Sequence, residues 1–321
     1  MNEQDVRIRL GADEIRELRD RHYNATIIRR ENIHEDLIRL QIRPDAPIPP
    51  FHPGQYVALG VGNWERRLPG TQTETLKPDR YQKLVRRAYS ISCPMWSGSR
   101  ILTVGDVDYL EFYIVLVRQS PSPDDTPPAL TPRLFAMHEG DRMVVEKKIT
   151  GQYHLGNVRP DDTLLMMGTG TGEAPHNAMA AELLSRNHAG KIVNATCVRH
   201  KVDLGYLDIH RVLMSRFANY VYLPLTTRDP ENIDPSHPEY CGKMYLQELF
   251  QSGRLAEMAG DDFLPSRTRI FLCGNPAMIG YVPPGADPPR QPGMLPLLRA
   301  AGFIDDDHSG DAGRVRFEKY W

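Results

Sequence analysis

Three of four short patches carry residue types suited to gripping phosphate oxygens and a flat ring, Arg87-Ala88-Tyr89-Ser90, Leu130-Thr131-Pro132-Arg133 and Gly168–Pro175, and the fourth, Cys273-Gly274-Asn275-Pro276-Ala277-Met278, holds a glycine that permits close backbone approach. In the first, a guanidinium suits a pyrophosphate, an aromatic face suits stacking and a hydroxyl suits a ring nitrogen. Alone, this tetrapeptide reads better as a cross-strand tyrosine beside a surface arginine. In the second, Thr131 reads as a helix N-cap with Pro132 at the first helical position, and the amides there suit phosphate oxygens. The third, Gly168-Thr169-Gly170-Thr171-Gly172-Glu173-Ala174-Pro175, follows the apolar run Leu164–Met167 and leads into the helix former Ala178–Leu184. Strand, glycine turn and helix bring backbone N–H groups and a helix dipole toward an anion. Its spacing departs from G-x-G-x-x-G, and alone it reads equally as a tight connection.

These patches need two kinds of scaffold. From Tyr23 to Lys147, alternating runs at Asn24–Glu31 and Asp36–Arg43 predict strands with one buried face, His52–Gly60 reads as a turn running into a third strand, Arg86–Ser92 as a strand edge, Tyr109–Arg118 as the strongest strand signal and Arg142–Lys147 as a further strand. One short helix after Leu130 and no strand–helix alternation predict a small antiparallel barrel. Gly62–Lys83 reads as an exposed loop or hairpin insertion, Ser120–Pro128 as a proline-rich loop, and Asp13–Arg21 as a short surface helix without assigned function. After about Gly156–Pro160 the pattern changes. Strands at Thr163–Met167, Ile192–Val198, Tyr220–Thr226, Arg269–Cys273 and Arg314–Tyr320 are separated by helices at Asn177–Arg186, Leu207–Phe217, Tyr245–Ser252 and Met294–Ala301, which predicts a parallel sheet covered on both faces. The expected division is an extension over 1–21, a barrel over 22–157 and an α/β domain over 158–321.

Bulk properties narrow the field. The 321 residues suffice for two domains at roughly 150 each. A formal net charge of −2 gives no reason to expect nucleic acid or an anionic membrane as main partner. No run of about 18 apolar residues exists to span a bilayer, and Met1–Arg9 lacks the apolar core of a signal peptide. Cys93, Cys197, Cys241 and Cys273 have no metal-ligand spacing, so reduced thiols, no metal and a cytoplasmic setting are expected.

The four patches, in this order and followed by the terminal Glu318-Lys319-Tyr320-Trp321, resemble the ferredoxin–NADP⁺ reductase family and more closely its bacterial branch. The resemblance spans about Tyr23 to Trp321. It implies an FAD-binding barrel followed by an NADP(H)-binding α/β domain. By the resemblance, Arg87 and Ala88 line FAD, Tyr89 stacks on its ring system and Ser90 lies near the reactive flavin nitrogen. Tyr113, Ala129, Leu130 and Thr131 complete that cofactor's site. Thr171 approaches both cofactors, and Cys273 shapes hydride transfer as the catalytic partner of Ser90. Arg199, Thr227, Arg228 and Lys243 match positions that recognise a 2′-phosphate, favouring NADPH over NADH. Tyr320 and Trp321 lie against FAD, and Tyr206 packs near the nucleotide. Glu173 departs from the small or aliphatic residue the family pattern leads one to expect; it either faces solvent or changes how the nucleotide sits.

The implied activity is hydride transfer from NADPH to FAD across a domain cleft, followed by single-electron exchange with a ferredoxin or flavodoxin, in a monomer or weak dimer. Arg29, Arg30, Arg66, Arg67 and Arg86 would offer a basic rim to an acidic ferredoxin. Two alternatives stand beside this. One is a reductase module for another acceptor such as an oxygenase. The other is a flavin-binding regulatory subunit without catalysis, although the cysteine-rich C-terminal cluster usual in such subunits is missing.

Overall fold

The computed structural model describes residues 3–122, 125–282, 291–305 and 315–320. The chain divides into two compact units, one holding 1–51, 55–91 and 105–151, the other 52–54, 92–104 and 152–321.

The first unit begins with α1 (Glu3–His22) and strands β1 (Ala25–His34), β2 (Leu37–Pro44), β3 (Tyr56–Gly62) and β4 (Leu84–Ser90). A small hairpin, β5 (Trp96–Ser97) and β6 (Arg100–Ile101), belongs to the second unit. The first unit then continues with β7 (Leu110–Val115), α2 (Thr131–Phe135) and β8 (Arg142–Val145). The six larger strands form one antiparallel sheet in the order β4-β3-β8-β1-β2-β7. Register follows the period-two pattern: Ile38, Leu40 and Ile42 stand opposite Ile114, Phe112 and Leu110, and all six are buried in one core. Arg39, Gln41 and Arg43 take the other face.

Two segments differ from their expected form. The helix α1 is longer than the expected Asp13–Arg21 piece and is interrupted at Gly11. Its Leu10, Ile15 and Leu18 join Tyr23, Trp64, Tyr81 and Val144 in a second apolar cluster. The interval Gly62–Lys83 is likewise not a purely exposed loop, because Asn63, Trp64, Glu65 and Arg67 are buried. Arg19 Nε donates to Glu65 (2.8 Å), and so does the Tyr23 hydroxyl (2.8 Å). Further on, the fully buried Arg133 pairs with Glu74 (2.6 Å), which also meets Arg67 at 3.4 Å. Buried charges must be paired to be tolerated, so these contacts pin the interval from Glu65 to Glu74. Sequence polarity suggested a loop because the partners of Glu65 and Glu74 that bury them, Arg19, Tyr23 and Arg133, lie 42 to 59 positions away along the chain.

The second unit contains β9 (Thr163–Thr169), α3 (Glu173–Ser185), β10 (Ile192–Val198), α4 (Leu207–Arg216), β11 (Tyr220–Thr226), α5 (Pro230–Ile233), α6 (Leu246–Gln251), α7 (Arg254–Ala259), β12 (Thr268–Gly274), α8 (Pro276–Ile279), α9 (Met294–Ala300) and β13 (Val315–Lys319). Its five larger strands are all parallel, in the order β11-β10-β9-β12-β13. The antiparallel-then-parallel plan read from the sequence is borne out. The helix α3 starts at Glu173, four residues before the expected Asn177; Pro175 is tolerated there because the first-turn N–H groups have no intrahelical acceptor.

The two faces of the parallel sheet are unlike. One packs Leu165, Met167, Val193, Ala195, Ile270 and Leu272 into the unit's apolar core, together with buried residues of α6 to α9. The alternate residues of β10 and β11 point the other way. There Asn194, Thr196, Tyr220 and Tyr222 are buried beside Glu173 and His210.

Candidate functional site

In the order β11-β10-β9-β12-β13 the chain runs outward from β9 in one direction, then returns to β12 on the other side. The reversal falls between β9 and β12, and ligands of open parallel sheets bind beyond the carboxyl ends of strands at such a switch point. The Gly168–Gly172 turn closes β9 there, and Gly168 stands in register with Cys273 of β12. Sequence spacing alone did not reveal what the turn faces; strand order does.

Close backbone packing explains the glycines. A Cβ on Gly172 would fall 2.4 Å from the Cys273 carbonyl oxygen and 3.0 Å from the Gly274 Cα. Gly274 has φ of +118°, and a Cβ there would meet Thr169 Oγ1 at 2.4 Å. That same Thr169 hydroxyl accepts from Asn275 N at 2.8 Å. At Gly170, by contrast, a Cβ would meet nothing within 4 Å, so the turn is open on that side.

The terminal strand completes this group. Cys273 stands in register with Glu318, Tyr320 N donates to the Gly274 carbonyl at 3.0 Å, and the Tyr320 hydroxyl donates to the Thr171 carbonyl at 3.3 Å. Thr171, Cys273 and Tyr320, three residues singled out from sequence, are therefore brought together. Trp321 lies outside the described residues, as do residues 283–290. Cys273 is fully buried. Burial pushes its thiol well above the usual range, the nearby Glu318 charge pushes it further, and a hydrogen bond with Tyr320 partly offsets both. The thiol is thus held protonated, which suits a shaping role and excludes a thiolate nucleophile at neutral pH.

Behind Cys273, Tyr153 packs edge-on to Phe271, and its hydroxyl lies 2.7 Å from His176 Nε2. Burial pushes the Tyr153 hydroxyl up and the His176 imidazole down to about 3. Both are therefore neutral at pH 7, with the hydroxyl donating to the ring nitrogen. The folded-state value of His176 lies below the ordinary unfolded value of about 6.5. Its contribution to stability is thus complete above about pH 6.5 and is lost progressively as pH falls toward 3. Urea titrations at stepped pH are expected to show stability falling below pH 6.5, with a slope shallower by up to about 1.4 kcal/mol per pH unit in His176→Gln. Equal slopes would remove His176 as a source of acid sensitivity.

The expected 2′-phosphate positions occupy neighbouring strand ends. Arg199 and Arg228 are exposed, and the N–H groups of Thr227 and Arg228 donate to the Arg199 carbonyl at 3.3 and 2.8 Å. The Thr227 hydroxyl donates to the Val198 carbonyl at 3.1 Å, so this side chain ties the two loops together. Lys243 is exposed in the segment before α6. Tyr206 is fully buried and accepts a hydrogen bond from Ser92 (3.0 Å), which corrects its expected place beside the nucleotide.

In the first unit, Arg87 and Ala88 are exposed, Tyr89 is half-buried and Ser90 is buried. All four lie on β4, which ends the strand order, so one backbone edge of the tetrapeptide is not taken up by the sheet. Arg87 Nη1 donates to the Arg86 carbonyl (2.8 Å), and Arg86 pairs with Glu146 (2.7 Å). Tyr113 is buried on β7, on the face away from Phe112. Ala129 is half-buried and Leu130 is buried.

Two expectations here need correction. The N-cap of α2 is Leu130, not Thr131, whose hydroxyl instead accepts from Val117 N at 3.1 Å. A tertiary hydrogen bond from the segment just after β7 outcompetes the capping role. The basic rim also shrinks: Arg67 is buried and donates to the Pro128 and Gln72 carbonyls (both 2.8 Å), while Arg30 is half-buried and bonded to the Phe135 and Met137 carbonyls. Arg29, Arg66 and Arg86 remain exposed.

Sequence reasoning left Glu173 open and missed His210, Tyr220 and Tyr222. Glu173 is fully buried, with its Oε1 2.8 Å from His210 Nε2 and 2.8 Å from the Tyr222 hydroxyl. His210 Nδ1 meets the Tyr220 hydroxyl at 2.8 Å, and the His210 ring stacks on Tyr222 at 3.7 Å. The only sequence signal was Glu173 itself, a carboxylate where a small or apolar residue would complete the motif.

No family model matches the chain. Among curated proteins it is 29% identical over 202 residues to a ferredoxin–NADP reductase of Pseudomonas aeruginosa, covering 60% of this chain and 68% of that one. It is 26% identical over 235 residues to a flavodoxin/ferredoxin–NADP reductase of Escherichia coli, covering 73% and 78%. Among solved structures it resembles a ferredoxin NADP⁺ reductase from Neisseria gonorrhoeae with bound FAD and NADP, at a TM-score of 0.68 and 19% identity over 93% of this chain and 98% of that one. The family resemblance and the fold class read from the sequence are borne out by these relatives.

Proposed function

We propose that this chain is a ferredoxin (flavodoxin)–NADP⁺ reductase using FAD and NADP(H). The observation that carries the reading is the Gly168–Gly172 turn at the switch point of the parallel sheet, packed on Cys273–Gly274 and tied to Tyr320. The residues present fit both cofactors. The turn is open beside Gly170, two exposed arginines stand at adjoining strand ends, and an exposed guanidinium precedes a half-buried tyrosine on an edge strand.

When bound, FAD supplies the conversion between a two-electron hydride exchange with NADP(H) and one-electron exchange with the protein partner. The chain supplies orientation. Arg87 would hold the FAD pyrophosphate, with Ala129, Leu130 and Thr131 lining it. Ala88, Tyr89 and Tyr113 would hold the ring system, and Ser90 would lie beside its reacting edge. Thr171 would seat NADP(H), with Arg199, Arg228 and Lys243 on the 2′-phosphate and Thr227 bracing the two arginine loops. Cys273, a neutral thiol, would bound the nicotinamide pocket. Tyr320 and Trp321 would cover the flavin.

No helix among the described residues is long and apolar enough to cross a membrane. No disulfide joins any of the four cysteines, which fits a reducing compartment, and we place the protein in the cytoplasm.

Purified protein is expected to be yellow and to reduce ferricyanide, then ferredoxin or flavodoxin, with NADPH. A colourless protein without NADPH-dependent dye reduction would overturn the reading. Arg228→Ala is expected to raise the KM for NADPH by about tenfold or more through loss of a charge-assisted contact, leaving NADH kinetics nearly unchanged. Equal losses with both nucleotides would remove Arg228 from phosphate recognition.

A further inference from the structure

We propose that Glu173 is a positioning residue, which through His210 and Tyr222 fixes the orientation of the nucleotide-binding turn and thereby sets the affinity for NADPH. The inference rests on the reading that this turn seats the nucleotide.

Glu173 is the first residue of α3, directly after Gly172. Together with His176 and Asn177 it marks positions i, i+3 and i+4 of that helix, and all three are fully buried. A helix of this kind ordinarily lays an apolar stripe on its sheet. Here the facing strands answer in kind, with Asn194, Thr196, Tyr220 and Tyr222. The opposite sheet face is built from aliphatic side chains and shows that this unit can pack an apolar layer. Apolar replacement of a buried hydrogen-bonded network is often neutral or stabilising, so stability does not account for the polar choice.

The network also carries a penalty. Glu173 Oε2, His176 Nδ1, both amide atoms of Asn177 and Asn194 Nδ2 are buried without a protein partner. Each such atom is unfavourable away from water. What the arrangement supplies in return is direction. An apolar contact leaves the first turn of a helix free to rotate by small amounts, whereas two hydrogen bonds to one carboxylate oxygen fix it. With His210 Nε2 donating to Glu173, Nδ1 accepts from the Tyr220 hydroxyl, so the imidazole is itself held from both sides. Both tyrosines lie on β11, the strand whose far end leads to Thr227 and Arg228. The Glu173 anchor therefore ties the turn to the strand that carries the expected 2′-phosphate contact, through α4 and directly. Misplacement by about 1 Å is enough to change binding and rate substantially.

The test uses the full-length, FAD-loaded protein with three variants: Glu173→Leu, Glu173→Gln and Tyr222→Phe. NADPH KM and kcat are measured with ferricyanide, alongside FAD content and Tm. Glu173→Leu is expected to raise KM by about tenfold, with kcat within about twofold and FAD retained. Tyr222→Phe, which deletes one oxygen, is expected to raise KM about threefold or more. Glu173→Gln keeps an oxygen that accepts both hydrogen bonds and is expected to stay within about twofold of the parent. A merely structural role would lower Tm in the leucine and phenylalanine variants while leaving KM unchanged, and that result overturns the proposal. If Glu173→Leu fails to fold, Tyr222→Phe decides in the same terms. A parent protein that does not oxidise NADPH at all sinks the reductase reading instead, which separates the two failures.

Discussion

Gly172→Ala is expected to lower NADPH-dependent kcat/KM by about a hundredfold or more while FAD content stays near that of the parent. The new methyl carbon would sit 2.4 Å from the Cys273 carbonyl oxygen, 2.7 Å from its carbonyl carbon and 3.0 Å from the Gly274 Cα. All three are backbone atoms at the end of a strand paired on both sides, so no flexible side chain can yield. The glycine itself has φ of −62° and ψ of −10°, a conformation open to alanine, so the effect is one of space alone. Relief requires the turn and the Cys273–Gly274 backbone to part, and overpacking of this kind costs about 1–3 kcal/mol. It would move Thr171 and Cys273 together, which is why binding and transfer should both suffer. Steady-state kinetics with a dye acceptor, paired with the flavin absorbance ratio, measures this. Near-normal kcat/KM would mean that the contact between turn and strand is unimportant to the site.

Trp64→Ala is expected to destabilise the first unit by about 3–5 kcal/mol, the usual range for truncating a fully buried aromatic side chain. The ring lies directly over Gly62, where a Cβ would fall 2.0 Å from it, and is flanked by Tyr23 and His22 at centroid distances of 6.1 Å each. It sits in the cluster that joins α1 to the sheet, beside the Glu65 carboxylate held by Arg19 and Tyr23. Losing the ring would leave a cavity in the apolar cluster that α1 covers. Chemical denaturation followed by far-ultraviolet circular dichroism and by flavin release should show the midpoint falling. A loss below about 1 kcal/mol would mean that α1 and its cluster contribute little to the unit.

Much of this was legible in advance because the signals are local. Period-two alternation in β2 and β7, the regular succession of strand and helix after Pro160, and the glycine turn after β9 each arise from a few consecutive residues. Their order along the chain was enough to suggest the family. Segments whose character depends on distant partners were misjudged. The 62–83 interval is polar in composition, yet Arg67, Glu74 and Arg133 satisfy one another across 7 and 59 positions of sequence. Thr131 carries a capping residue's chemistry but is engaged by Val117 N, 14 positions away. Arg30 and Arg67 looked like surface charges because nothing in the sequence gives the backbone carbonyls that bind them.

The amino-acid sequence by itself determined the two architectures, the chemical types at the cofactor patches and the anomaly at Glu173. Backbone propensity, hydrophobic period and residue chemistry are properties of short stretches, so they can be read without coordinates. Only the tertiary structure decided that the glycine turn lies at the reversal of strand order, that Cys273 is a buried neutral thiol beside Glu318 and Tyr320, and that Glu173 points inward to His210 and Tyr222. Those outcomes depend on which strands become neighbours and which face of a helix meets the sheet. Both are fixed by the joint packing of residues as far apart as Thr171 and Tyr320, 149 positions, a balance that no single stretch of the chain contains.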